Sequence, residues 1–233
     1  MNAKQTIGIV GCGTMGTGIA IVAARAGFKT RIYDLKPEPL ENARKQAAAF
    51  LKKSVERGKL ATGEDALIMA QFLTTTDAKE FADCDLVIEA VFEDLKVKHS
   101  IFKQLNDICP AHTIFASNTS TISITEIAGG SGRADRFVGM HFCLPAQLMK
   151  LVEMSPGMNT SDASFEAAWK LCEALGQKPV RTRDTPGFIL NYFLIPFNND
   201  VINLIDQGVA DAVNIDLAVK TALGYPLGPL ELL

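Results

Sequence analysis

Short apolar runs alternate with helical patterns from the start of the chain to residue 184. The apolar runs predict strands that begin at Thr6, Thr30, Phe72, Leu86, Thr113, Phe137, Leu151 and Lys178. Several of these runs are apolar at successive positions, which is typical of parallel strands that are covered on both faces. The alternation therefore predicts the α/β class, with a Rossmann-type, doubly wound and mostly parallel sheet.

The pattern changes at the segment Asp184-Thr185-Pro186-Gly187. Residues 188–207 are apolar on nearly every side of a helix despite Pro196, which is typical of a helix buried between other helices. A further helical pattern covers residues 215–223. We therefore predict an α/β domain over residues 1–184 and the start of an all-helical domain over residues 185–233.

A glycine-rich segment joins the first predicted strand to the first predicted helix. Gly11, Gly13 and Gly16 form a GxGxxG pattern, and Asp34 follows about 20 residues later at the end of the second strand. This is the dinucleotide-binding fingerprint, in which the glycines permit a tight turn, a close approach of the pyrophosphate and close packing of the helix. Asp34 can accept hydrogen bonds from both ribose hydroxyls and would repel a 2′-phosphate, which predicts NAD rather than NADP. The residues expected to bind the cofactor here are Gly11, Gly13, Thr14, Met15, Gly16 and Asp34.

The composition of the chain bears on its binding partners, its location and its capacity to bind a metal ion. The net charge of −3 provides no global basic field, so we expect no nucleic-acid partner. The apolar runs are too short to span a membrane. The first predicted strand begins almost at once, so no signal or transit peptide is expected, and the five scattered cysteines indicate thiols in the cytoplasm. The three histidines stand far apart and no His/Cys cluster has ligand spacing, so no metal site is expected.

Several separate segments together resemble the L-3-hydroxyacyl-CoA dehydrogenase family, and the bacterial 3-hydroxybutyryl-CoA dehydrogenases in particular. They are residues 11–20, Asp34, residues 89–98, 117–120, 141–153, 185–191 and 226–229. The resemblance covers the whole chain and implies reversible hydride transfer between NAD and carbon 3 of a short-chain 3-hydroxyacyl-CoA, as in fatty acid β-oxidation and butanoate metabolism. It also implies a homodimer or larger homo-oligomer, with an NAD-binding first domain and a second domain for substrate binding and dimerisation.

The resemblance implies catalytic roles for four residues. His141 matches the general base for alcohol oxidation, and Glu153 matches the carboxylate that orients its ring. Ser120 and Asn191 match residues that hold the reacting oxygen of the substrate, although turn and helix-cap roles are open for both. Because His141 ends a predicted strand and Glu153 lies on the next one, the two are expected to meet at the carboxyl edge of the sheet.

Four further residues match binding positions of the family. Glu93 and Lys98 match residues near the nicotinamide ribose, with an ordinary surface pair as the alternative. Lys53 and Lys59 match lysines that bind the phosphates of CoA, with a solvated basic helix end as an equally weighted alternative.

The chain departs from the family pattern in three places. Leu144 replaces a polar side chain that lies near the nicotinamide and substrate, which bears on acyl specificity, and Tyr192 replaces an arginine. The family continues past Leu233, so the helical domain is expected to be incomplete. Two other functions stay open: a related 3-hydroxy-acid or sugar-acid dehydrogenase that acts without CoA, and a non-catalytic NAD-binding structural protein.

Overall fold

The computed structural model describes residues 5–232. The chain forms two compact units, one up to Pro186 and one from Gly187 onward. The ends of the two predicted domains, residues 1–4 and Leu233, lie outside the described residues.

The first unit is built on an eight-stranded sheet with the strand order β3-β2-β1-β4-β5-β6-β7-β8. Strands β1 to β6 are parallel, whereas β7 is antiparallel to β6 and parallel to β8. The strands are β1 (Thr6–Val10), β2 (Lys29–Tyr33), β3 (Phe72–Thr75), β4 (Leu86–Glu89), β5 (Ile114–Ser117), β6 (Phe137–Phe142), β7 (Leu151–Pro156) and β8 (Lys178–Arg181). The predicted α/β class and the mostly parallel, doubly wound sheet are confirmed.

The order of the strands reverses at β1, which has β2 on one side and β4 on the other. At such a switch point the connections leave in opposite directions, so a crevice opens at the carboxyl ends of the strands. Every residue of β1, β4, β5 and β6 is buried, as the continuous apolar runs predict. The core therefore holds the strand ends that form the crevice in fixed positions.

The described residues form eight α-helices, four of which begin after a polar residue whose side chain caps the helix. They are α1 (Thr14–Arg25), α2 (Pro37–Glu56), α3 (Glu64–Gln71), α4 (Leu95–Ile108), α5 (Ile124–Gly129), α6 (Asp162–Ala174), α7 (Leu190–Asp206) and α8 (Ala212–Leu223). The side chains of Asp94 and Ser161 accept from backbone N–H groups at the starts of α4 and α6. Helix α3 begins after Gly63, which has a φ of 83° and no side chain that could cap the helix.

The last residues of the first unit are anchored by Asp184. Its carboxylate accepts hydrogen bonds from the Ser123 hydroxyl, the Ile124 N–H and both the N–H and the hydroxyl of Thr125. Burial alone would raise the pKa of Asp184, but these donors outweigh it and lower the pKa below its usual range. The carboxylate therefore ties the segment after β8 to the start of α5.

The second unit contains α7 and α8. Most of the apolar surface of α7 is uncovered: Val201 is buried, but Tyr192, Phe193 and Ile195 are 72%, 59% and 57% exposed. The sequence predicts a helix buried on every side, and the described part of this unit supplies one other helix to cover it. Among residues 5–232, no helix is both long enough and apolar enough to cross a membrane.

Candidate active site

The turn between β1 and α1 is rich in glycine, so its backbone is not covered by side chains where it faces the crevice. Gly11 has a φ of +92°, a conformation that favours glycine. A Cβ atom on Gly16 would overlap the carbonyl oxygen of Gly11, whereas a Cβ on Gly13 would meet no atom within 4 Å. Gly11 and Gly16 are therefore required by the turn itself, and Gly13 leaves open space beside the first N–H groups of α1, which attract phosphate.

The carboxylate of Asp34 lies beside this turn. Its Oδ2 accepts from the Cys12 N–H at 3.2 Å and from the Cys12 thiol at 3.1 Å, and its Oδ1 accepts from the Leu35 N–H at 2.8 Å. Burial, followed by the hydrogen bond to Asp34 and its negative charge, raises the pKa of Cys12 to about 12. The thiol therefore stays protonated and donates to Asp34, a role that the sequence pattern does not signal because a buried cysteine usually behaves as a small apolar residue.

A cavity of about 730 Å³ opens in front of this turn. Residues from the glycine turn, the end of β2, the segment after β4 and the first turns of α4 line it. Among them are Gly11, Gly13, Thr14, Met15, Asp34, Val91, Phe92 and Val97. The cavity combines apolar walls, free N–H groups at a helix N-terminus and a carboxylate, which together fit the base, the phosphates and the ribose of a dinucleotide.

A hydrogen-bonded chain of three side chains lies at the carboxyl end of β6. His141 Nδ1 is 2.8 Å from Glu153 Oε2, and His141 Nε2 is 3.1 Å from Ser120 Oγ. His141 and Glu153 face each other in the β6–β7 register. Because β7 runs antiparallel to β6, its first residues lie at the carboxyl edge of the sheet, and Glu153 meets His141 there as expected.

This chain of contacts can move a proton. A carboxylate only accepts, so Nδ1 of His141 carries a hydrogen that it donates to Glu153, which leaves Nε2 to exchange a proton with a hydroxyl. Glu153 is 1% exposed, so its charge acts on the imidazole with little screening by water. The arrangement is that of a general base held in one tautomer and one orientation.

Glu93 and Lys98 do not form an ordinary surface pair. Glu93 Oε1 accepts from the Thr119 hydroxyl at 2.5 Å and from the backbone N–H of Ser120 at 3.0 Å. Lys98 is 1% exposed and lies 3.1 Å from Glu93 Oε2 and 2.7 Å from Glu89 Oε1. Glu89 is not among the site residues predicted from the sequence, although a carboxylate in an apolar strand is a signal of such a role.

The remaining residues predicted from the sequence to bind or position the substrate lie on other segments of the chain. Lys53 is exposed on α2 and Lys59 is exposed shortly after that helix. Asn191 is in the first turn of α7, so its proximity to Ser120 stays a prediction. Leu144 is 62% exposed and follows β6. Within the described residues, no group of three or more His, Cys, Asp or Glu side chains could hold a metal ion.

Comparison with known families identifies what kind of protein carries this site. Residues 6–185 match the model of the 3-hydroxyacyl-CoA dehydrogenase NAD-binding domain, and residues 187–233 match the C-terminal domain of the same family. The chain belongs to the 3-hydroxyacyl-CoA dehydrogenase family. NAD is therefore the cofactor, and both the predicted family and the predicted cofactor are confirmed. That the glycine turn and Asp34 bind NAD stays a prediction.

Individual relatives are similar over nearly all of the chain. A probable 3-hydroxybutyryl-CoA dehydrogenase of Deinococcus radiodurans is 42% identical over 97% of this chain and 81% of the relative. The mitochondrial hydroxyacyl-coenzyme A dehydrogenase of Homo sapiens is 41% identical over 97% of this chain and 74% of the relative. The crystal structure of (S)-3-hydroxybutyryl-CoA dehydrogenase from Ralstonia eutropha has a TM-score of 0.92 at 36% identity, over 98% of this chain and 81% of that one.

Two glycine substitutions distinguish a glycine that the turn requires from a glycine that leaves space for the cofactor. Gly16→Ala should lower the free energy of unfolding by about 1–3 kcal/mol, because the methyl group overlaps a backbone oxygen. Gly13→Ala should leave thermal unfolding unchanged but weaken NAD binding, because its methyl group occupies open space at the α1 N-terminus. Thermal unfolding and NAD titration of both variants test this. Wild-type NAD affinity in Gly13→Ala would contradict the expectation that NAD binds in the open space beside Gly13.

Proposed function

We propose that this protein interconverts (S)-3-hydroxyacyl-CoA and 3-oxoacyl-CoA, with short acyl chains such as 3-hydroxybutyryl and acetoacetyl as its substrates. The observation that carries the proposal is the Ser120–His141–Glu153 hydrogen-bonded chain in an NAD-binding domain. Bound NAD supplies the acceptor for the hydride from carbon 3. The protein then has to remove one proton from the substrate hydroxyl.

His141 performs that proton transfer. When the alcohol is oxidised, Nε2 takes the hydroxyl proton as the hydride leaves carbon 3, and Glu153 stabilises the imidazolium that forms. In the reverse direction, His141 returns the proton to the oxygen of the ketone. Ser120, within hydrogen-bond distance of the same nitrogen, orients the reacting oxygen, and Asn191 is proposed to assist it.

The CoA ester is proposed from the names of the relatives and from the two lysines. Lys53 and Lys59 are exposed, as required of cations that meet the phosphates of a large ligand. Leu144 comes soon after His141 and leaves most of its side chain exposed, so it is our candidate for a residue that sets the acyl-chain preference. A non-catalytic NAD-binding protein would not need the aligned base, carboxylate and hydroxyl.

The same proposal extends to assembly and location. The uncovered apolar side chains of α7 favour a homodimer or larger homo-oligomer, since monomeric proteins rarely expose large apolar patches. All five cysteines are free thiols, which supports a cytoplasmic location. The reaction would belong to fatty acid and butanoate metabolism.

NADH oxidation with two substrates tests the proposed function. Acetoacetyl-CoA should be reduced efficiently, and free acetoacetate should be reduced far more slowly because it lacks the CoA moiety. The loss of NADH absorbance measures both rates. Equal kcat/KM values for the two substrates would favour a 3-hydroxy-acid dehydrogenase that acts without CoA.

Removal of the two lysines tests the CoA contact. Lys53→Ala/Lys59→Ala should raise the KM for acetoacetyl-CoA by about three- to tenfold at low salt and leave the KM for NADH unchanged, because exposed charge pairs contribute modestly and are screened. The matched control is Lys45→Ala/Lys103→Ala, which removes two exposed lysines that are not assigned to CoA. Equal KM values in the two double variants would support the solvated helix end.

Substitution of the base and of its partner tests the catalytic assignment. His141→Gln should lower kcat by about 10²- to 10⁴-fold with NAD binding retained, since the proton acceptor is lost. Glu153→Gln should also lower kcat, and the double variant should lose less than the product of the two single effects. His112→Gln, at a histidine that is 62% exposed, is the control and should keep its activity. Near-wild-type turnover in His141→Gln, when chemistry limits the rate, would place the base elsewhere.

A further inference from the structure

Three charged side chains form a cluster between β4, α4 and the segment after β5. The ammonium of Lys98 lies 2.7 Å from Glu89 Oε1 and 3.1 Å from Glu93 Oε2. Glu89 is 0% exposed, and it also accepts from the Val91 N–H at 2.7 Å and from the Ser117 hydroxyl at 2.6 Å. We call Glu89, Lys98 and Glu93 the three-charge cluster.

The three-charge cluster carries an excess of negative charge. A buried ammonium requires a counter-charge, and Glu89 supplies it at ion-pair distance. Burial opposes ionisation of Glu93, but the Thr119 hydroxyl, the Lys98 ammonium and the Thr121 N–H outweigh it and hold its pKa at about 2. Two carboxylates thus face one cation, and the cluster has a net charge of −1.

This charge lies next to the reacting groups. Glu93 Oε1 accepts from the backbone N–H of Ser120, whose hydroxyl is 3.1 Å from His141 Nε2. Ser120 and His141 would hold the hydroxyl of the carbon that gives up the hydride. The nicotinamide ring has to reach that same carbon, so it has to bind close to Glu93.

We propose that Glu89 is a specificity-determining residue, which gives the three-charge cluster its net negative charge and thereby favours the oxidised cofactor over the reduced one. This inference rests on the proposed function, because it uses the position of the reacting carbon. The nicotinamide ring is positively charged in NAD⁺ and neutral in NADH, so a fixed negative charge nearby stabilises NAD⁺ selectively. Glu89 and Lys98 are buried, so salt screens their effect only weakly.

The cluster would also influence the direction of the reaction. A site that binds NAD⁺ more tightly relative to NADH makes bound NADH the stronger reductant, by thermodynamic linkage. The negative charge at Glu89 therefore favours reduction of the 3-oxo group on the protein. Without Glu89, the cluster would be neutral and this bias would disappear.

The ratio of two dissociation constants isolates the effect of the cluster's charge on the preference for NAD⁺ over NADH. NAD⁺ and NADH share their phosphates, riboses and adenine, so contacts common to both forms cancel in Kd(NADH)/Kd(NAD⁺). We would measure both constants by calorimetric titration of the full chain, without acyl-CoA, in the wild type and three variants. Because no acyl-CoA is present, the result is independent of whether acetoacetyl-CoA proves to be a substrate.

The three variants differ in the net charge of the three-charge cluster, which is zero in the first and −1 in the other two. Glu89→Gln makes the cluster neutral and should lower the ratio by about tenfold, the size expected for one charge about 10 Å away at an effective dielectric constant of about 20. Glu89→Gln/Lys98→Met restores a net charge of −1 and should return the ratio to the wild-type value. Ser117→Ala removes one hydrogen bond to Glu89 but no charge, and should leave the ratio unchanged.

A purely structural role for Glu89 predicts a different outcome. Glu89→Gln would then weaken the binding of both forms by the same factor, and that result would overturn the proposal, as would a double variant that keeps the ratio of the single variant. If Glu89→Gln does not fold, Glu93→Gln removes the same charge at the half-exposed end of the cluster. It should lower the ratio in the same direction, and an unchanged ratio there would equally refute the role of the charge.

Discussion

The antiparallel pairing of β6 with β7 is the constraint on which the proposed proton transfer depends. In this register His141 faces Glu153, so the two side chains project from the same side of the sheet. The parallel pairing of β5 with β6 then brings the segment after Ser117 alongside, and Asn118 Oδ1 accepts from the Phe142 N–H at 2.9 Å. Ser120 can therefore reach Nε2 while the imidazole remains fixed by Glu153. The base is positioned by strand register rather than by a flexible loop.

The cofactor end of the site depends on exposed backbone and open space rather than on strand register. There the turn after β1 offers backbone and open space, because Gly11 and Gly16 are required by the turn and Gly13 leaves room in front of it. The segment after β4 joins the two ends, since Val91 and Phe92 line the cavity and Glu93 binds the backbone of Ser120. A change in the position of this segment would alter the cofactor cavity and the reacting hydroxyl together.

The sequence predicts the architecture well because the required patterns are local. A buried strand, a GxGxxG turn, a helix and Asp34 are all read within one βαβ unit. The direction of β7 could not be read, since an apolar run such as Leu151–Pro156 is compatible with parallel or antiparallel pairing. Nor does the sequence indicate the short helix α5, because the Ser/Thr-rich residues before it favour turns as much as a cap. The burial of Lys98 depends on Glu89 and Glu93, whose proximity is created only by the fold.

Stability alone is a weak explanation for the three-charge cluster. A buried ion pair has a large desolvation cost, and apolar side chains of similar volume are often as stabilising as the pair or more so by about 1–4 kcal/mol. Glu89 and Lys98 are 0% and 1% exposed, yet their network extends to Glu93 and from there to the backbone of Ser120. An apolar pair at these two positions would fill the same space but could neither hold Glu93 nor alter the field at the nicotinamide. The charges are therefore better explained by what they do to the adjacent site than by what they add to the core.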